Sequence, residues 1–110
     1  MKGNRNKEYI YFINKHYNEI RNQIANIQTF EEFNENLIIK KACSLDVGMI
    51  GEYVSKLDIN VPNLNGIIRL AKNMRNIIFH SYGSVDFKYV WDAIVYDLPM
   101  LIDELNDLIK

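Results

Sequence analysis

The run Arg75-Asn76-Ile77-Ile78-Phe79-His80-Ser81-Tyr82 holds the residue types that metal-free cleavage of an RNA phosphodiester requires. That reaction needs a group to take the proton from a 2′-hydroxyl or give one to the leaving oxygen, and a fixed cation for the charge building on the phosphorane. Histidine titrates near neutral pH and suits the proton transfer, whereas arginine stays protonated and holds phosphate oxygens through two donors. Each residue also has a plainer reading: His80 as a favourable residue at a helix C-terminus, Arg75 as half of a surface ion pair, Tyr82 as a helix-end aromatic packed on the fold. Geometry adds a constraint. Five residues of helix turn through about 500°, which leaves Arg75 and His80 about 140° apart and about 7.5 Å apart along the axis. They converge on one phosphate only if the helix loosens before Gly83, or if a second chain brings another copy of the motif across a two-fold axis. A dimer also supplies a second histidine where one chain offers a single candidate.

Charge singles out the same segment. No acidic residue lies between Asp58 and Asp86, while Arg69, Lys72 and Arg75 do, and from Tyr89 onward five acids face one lysine. The helix carrying the motif is thus the strongly electropositive surface, with Arg69 and Lys72 as candidate RNA-phosphate contacts. The alternative is a solvated face paired with acids elsewhere in the fold.

Helical periodicity supplies the elements that must position these residues. Ile10, Ile13, Tyr17, Ile20, Ile24 and Ile27 form one stripe of a first helix between Asn6 and Gln28. Thr29 and Glu32 make a capping-box signature for a second run carrying Phe30, Phe33, Leu37, Leu45, Met49, Tyr53 and Leu57, with Gly48 and Gly51 as its weak points. Pro62 and its flanking asparagines mark a loop, with Asn63 or Asn65 as the next cap. In the third run Ile67, Leu70, Ala71, Met74, Ile77 and Ile78 fall within about 120°, and Arg69, Lys72, Asn73, Asn76 and His80 gather opposite. Gly83 is placed to end it and Ser84 to cap a last helix packed through Phe87, Trp91, Ile94, Leu98, Leu101, Leu105 and Leu108, which Pro99 should kink or split. No strand-type alternation and no repeat is present. The expected fold is all-α, an up-and-down bundle of four to five helices forming one domain over residues 1–110.

The motif, the Gly83 to Asp86 turn, Val90-Trp91 and Leu98-Pro99 together resemble the HEPN superfamily, and within it the HepT-type toxins, whose signature is Arg-x4-His-x-Tyr, usually with Asn after the Arg. Gly51-Glu52 is similar to a Gly-Glu pair common in these proteins. The resemblance carries residue matches from about Ala42 to the C-terminus. One departure is that many relatives have a Trp shortly after the loop proline, where this chain has Asn63-Leu64-Asn65; that bears on packing or dimer detail. The resemblance implies a homodimeric endoribonuclease that needs no metal, with Arg75 and His80 in the active site and Asn76 supporting them. It implies a partner as well, a nucleotidyltransferase antitoxin that transfers AMP to the motif tyrosine, here Tyr82. Phosphate charge two residues from His80 would oppose substrate phosphate. Glu52 is a candidate to orient Arg75 or His80 if the second and third helices pack side by side, and otherwise a solvated glutamate.

Other features exclude whole classes. The 110 residues carry 13 basic and 14 acidic side chains, a net charge of −1, which argues against coating nucleic acid or membrane through bulk charge. One cysteine and two histidines make neither an internal disulfide nor a four-ligand Cys/His zinc set. With charges at Lys2, Arg5, Lys7, Glu8, Lys15 and Glu19, no apolar leader is expected, and no uncharged run reaches the roughly 18 residues of a membrane span. The expectation is a cytoplasmic protein without cofactor or metal. His16 reads as a surface residue, Cys43 as a small core residue, and Trp91 as core or dimer interface. Two other classes compete with the ribonuclease: a non-catalytic HEPN module that binds nucleotide or substrate for a partner nucleotidyltransferase, and a purely structural dimerisation bundle.

Overall fold

Capping side chains, not glycines, divide the first half of the chain. In the computed structural model, which describes residues 5–110, α1 spans Asn6–Gln23 and buries Ile10, Ile13 and Ile20, members of the predicted stripe. Lys2, counted above among the leading charges, lies outside the described residues. The helix stops at Gln23 instead of Gln28, and Ile24 and Ile27 pack on the core from the turn that follows. Helix α2, Phe30–Glu35, opens on Thr29, whose hydroxyl accepts from the Glu32 N–H at 3.2 Å. The second run then breaks at Asn36. Its backbone is extended and its side chain accepts from the Ile39 N–H at 3.0 Å, starting α3 at Leu37–Val54.

Gly48 and Gly51, the expected weak points, lie in the unbroken interior of α3. Their purpose is close approach. A Cβ added at Gly48 would meet the Phe79 ring at 2.8 Å, and one at Gly51 would meet the Ala71 carbonyl oxygen and, at 2.8 Å, the Arg75 Cβ. Helix α4 therefore seats against α3 at a distance that only glycine permits. Helix α3 is the centre of the bundle, packed on α1 along one side and α4 along another. Cys43, Val47, Ile50 and Val54 are buried in it, while Leu37 and Leu45 of the expected stripe remain 56% exposed.

Helix α4, Asn65–His80, is fed by a 3₁₀ turn over Pro62–Leu64, and neither Asn63 nor Asn65 caps it with a side chain. The turn itself supplies the entry, anchored by buried Leu64. The C-terminal end is also built differently from expectation. A 3₁₀ turn over Tyr82–Ser84 follows, Gly83 does not adopt a left-handed conformation, and Asp86 in place of Ser84 caps α5 (Phe87–Asp92) by accepting from the Lys88 N–H at 3.0 Å. The last run is divided just before Pro99, in the way its missing donor predicts. A π-helical turn over Ala93–Asp97 joins α5 to α6, Leu98–Leu108, and puts the proline in the first turn of α6, where its missing donor costs least. Phe33 and Trp91 pack with ring centroids 5.1 Å apart, and Ile94, Leu98, Leu101 and Leu105 complete the buried face. The fold is an all-α bundle, with no strand among the described residues.

Candidate active site

Arg75 is held where α4 crosses Gly51. Its Nη1 lies 3.5 Å from both carboxylate oxygens of Glu52 and donates to the Ser55 hydroxyl at 3.1 Å, and Ser55 in turn donates to the Glu52 carbonyl at 2.6 Å. On the other edge of the guanidinium, Nε donates to the Asn76 amide oxygen at 3.1 Å. Thus Glu52, Ser55 and Asn76 fix the plane of the group, and among the described residues Nη2 makes no hydrogen bond. The Arg75 and Glu52 side chains are 25% and 33% exposed. A guanidinium oriented on two edges and open on the third can receive a phosphate oxygen. Ser55 had no signal in the sequence; it reaches Arg75 because it sits at the end of α3, one turn beyond Gly51.

His80 is the last residue of α4 and is exposed. The helix stays α-helical through it, so the loosening that would swing His80 toward Arg75 is absent, and no hydrogen bond among the described residues joins the two. Glu52 pairs with Arg75 and not with His80. Arg69, Lys72, Asn73 and Asn76 are exposed as well, and Arg69, Lys72 and His80 form no ion pair among the described residues. At 100° per residue Arg69, Asn73, Asn76 and His80 share one stripe of α4 with Lys72 at its edge, and Arg75 faces α3 beside it. Tyr82 is 38% exposed, its ring edge-on to Phe87 at 5.8 Å, and partial burial raises its phenol above the ordinary value.

The second histidine is not a surface residue. The Nδ1 of His16 lies 2.8 Å from the Asp46 carboxylate, its ring stacks on Tyr53 at 6.1 Å, and Glu19 approaches at 3.8 Å. Asp46 is buried at the α1–α3 seam, and desolvation pushes its carboxyl upward against the lowering effect of His16. Ligand-type atoms of His16, Glu19 and Asp46 lie within 4.8 Å of one another, but the shortest contact is already satisfied as a hydrogen bond. Sequence gave no sign of it because the partners are 30 positions apart. Cys43 is buried, donates to Gln23 at 3.1 Å, and burial pushes its thiol up to about 12, which makes it inert. No helix among the described residues is long and apolar enough to cross a membrane.

With this geometry in place, comparison with known proteins is specific. The family described as "Ribonuclease HepT-like" matches residues 13–108, a span that includes every residue of the Arg75 and His80 region. One Methanocaldococcus jannaschii protein named "Putative RNase" is 31% identical over 106 residues, covering 94% of this chain and 87% of its own length. A second of the same name and organism is 30% identical over 106 residues, covering 94% of this chain and 90% of its own length. No solved structure matches the chain closely enough to count as a relative.

Proposed function

We propose that the protein is an endoribonuclease whose active site is shared between two copies of the chain, on a plain premise: the chain belongs to the ribonuclease HepT-like family. Within that family, the observation that carries the reading is the oriented, open guanidinium of Arg75 beside a stripe of exposed cationic and polar residues that ends at His80. Arg75 stabilises the phosphorane charge, and His80 moves the proton of the 2′-hydroxyl or of the leaving oxygen. Asn76 and Glu52 position Arg75, while Arg69 and Lys72 hold flanking phosphates. Because Arg75 and His80 diverge on a straight α4, the reading pairs Arg75 of one copy with His80 of the other. No protein group in this scheme depends on a metal, and the reaction proceeds in chelator.

The same reading makes the chain the toxin of a toxin–antitoxin pair, silenced by a nucleotidyltransferase that transfers AMP from ATP to Tyr82: the phenol oxygen bonds the α-phosphorus, the α–β anhydride breaks, and pyrophosphate leaves. The phenol is reachable and, like any tyrosine, protonated at neutral pH, so the transferase must supply the base. An AMP unit there adds phosphate charge and bulk two residues from His80.

The test is RNA cleavage by the purified protein in chelator, with and without His80→Ala. Cutting that disappears in a folded variant is expected; cutting that persists overturns the assignment. Nucleotide binding with no cleavage at any protein concentration would instead mark a non-catalytic module. Co-expression with a nucleotidyltransferase encoded next to this chain should raise the intact mass by whole AMP units. The shift should vanish in Tyr82→Phe, and a shift that survives contradicts Tyr82 as the acceptor.

A further inference from the structure

Between α4 and the start of α5 lies a cavity of about 240 Å³ that the cleavage chemistry does not use. Its floor is apolar, with Met74 and Ile78 buried, and Ile77 stands 43% exposed at its rim. The Tyr89 ring, 55% exposed, forms a wall, and the polar side chains are the Asn73 amide, the Ser84 hydroxyl and the Asp86 carboxylate, of which only Asp86 is charged. A small, mostly apolar slot with an aromatic wall and one or two edge-reading groups is how proteins hold an unstacked nucleobase. His80 does not line the slot but lies near its rim. On α4 it follows Ile77 by three residues and lies about 60° round from it, and about 20° round from Asn73, at the border between the apolar and polar faces.

The polar groups narrow the ligand. Asp86 spends one oxygen on the Lys88 N–H and is in no ion pair among the described residues, which leaves acceptor capacity and no donor. Among the four RNA bases, guanine alone sets two adjacent N–H donors, N1–H and the N2 amino group, on its Watson–Crick edge. Adenine and cytosine place a ring acceptor beside their amino group, which a carboxylate repels, and uracil offers one N–H between two carbonyls. We propose that this cavity binds a guanine base of single-stranded RNA next to the phosphate on which His80 acts, with Asp86 as the specificity-determining residue and Tyr89 as the stacking wall. The proposal rests on the ribonuclease reading for its substrate, but the binding site is testable without it.

The measurement is amide NMR titration of the intact chain with the 5′-monophosphates of guanosine, adenosine, cytidine and uridine. GMP should bind at least about fivefold more tightly than the other three, the lower end of what a two-bond base contact discriminates, and shift the amides of Asn73, Ile77 and Tyr89. Asp86→Asn keeps an N-cap residue and so the start of α5, checked by circular dichroism, yet should weaken GMP binding about tenfold. Equal binding of all four nucleotides, GMP binding unaffected by Asp86→Asn, or shifts confined to another surface overturns the proposal. Mapping cut sites on RNA separates the two readings. Cleavage with no selective GMP binding rejects the guanine site and leaves the ribonuclease standing, whereas selective GMP binding by a chain that cuts no RNA does the reverse.

Discussion

Helix α3 carries one charged pair toward α1 and another toward α4, and the two are built for different ends. Toward α1, Asp46 and His16 meet at 2.8 Å with side chains 7% and 20% exposed. Toward α4, Glu52 and Arg75 stand 3.5 Å apart with side chains 33% and 25% exposed. By residue type the His–Asp pair looks more like acid–base machinery than anything around His80. Its contact is short, its ring is stacked on Tyr53, and the carboxylate is sealed in the helix seam, so a substrate proton has no approach to Asp46 and the Nδ1 of His16 is already committed. The Arg–Glu pair is longer and leaves one edge of the guanidinium open. Reactivity depends on access and on capacity left over after the fold is satisfied, and only the α4 side has both.

Exchanging the two histidines breaks the comparison most strongly. His80→Ala should lower RNA cleavage by at least about 10²-fold with the melting temperature nearly unchanged, the size of a lost general acid or base. His16→Ala should do the opposite. It strands a buried carboxylate and should cost about 2–3 kcal/mol, a fall in Tm of roughly 10 °C or more, with cleavage retained at low temperature. A large activity loss in a folded His16→Ala protein would mean that the dyad is functional.

The glycines sharpen the contrast next. Gly51→Ala drives a methyl group into the Ala71 carbonyl and the base of Arg75, neither of which can yield, so about 1–3 kcal/mol should be lost together with cleavage activity. Gly48→Ala meets the Phe79 ring, which is 40% exposed and can turn away, and should cost less than Gly51→Ala in paired thermal melts.

The smallest effect concerns pH. Burial raises the Asp46 carboxyl above its ordinary value of 3.8, so the native chain keeps that proton to a higher pH than the unfolded chain does. Stability from this group is therefore present at acid pH and lost as pH rises from the ordinary carboxylate value through the raised native one. Asp46→Asn should flatten the dependence of Tm on pH across that window, and an unaltered slope would contradict burial as the dominant influence.

How much of this was legible follows from the range of each interaction. The stripes of α1 and α4 were readable because they are local repeats, and so was the Arg75 to Tyr82 motif, whose residue types announce their chemistry. The Thr29 cap was readable for the same reason. Asn36 is an equally good cap, but along the chain it lacks the Glu three residues on that marks Thr29, and the run it divides continues its apolar spacing past it. What Gly48 and Gly51 do depends on α4, and what His16 does depends on Asp46, so neither could be read along the chain. Pro99 announces a missing donor in the sequence, but no local signal announces the π-helical turn that precedes it.

The central claim, that Arg75 of one copy works with His80 of the other, is tested by mixing two inactive chains. Arg75→Ala and His80→Ala proteins are unfolded together in equal amounts and refolded, and heterodimers are counted by native mass spectrometry. In a shared site each heterodimer holds one cleft with both groups intact and one with neither. Random pairing makes half the dimers mixed, so cleavage should return to about a quarter of the wild-type level. Heterodimers that form in that proportion and cut no faster than either parent would contradict the account.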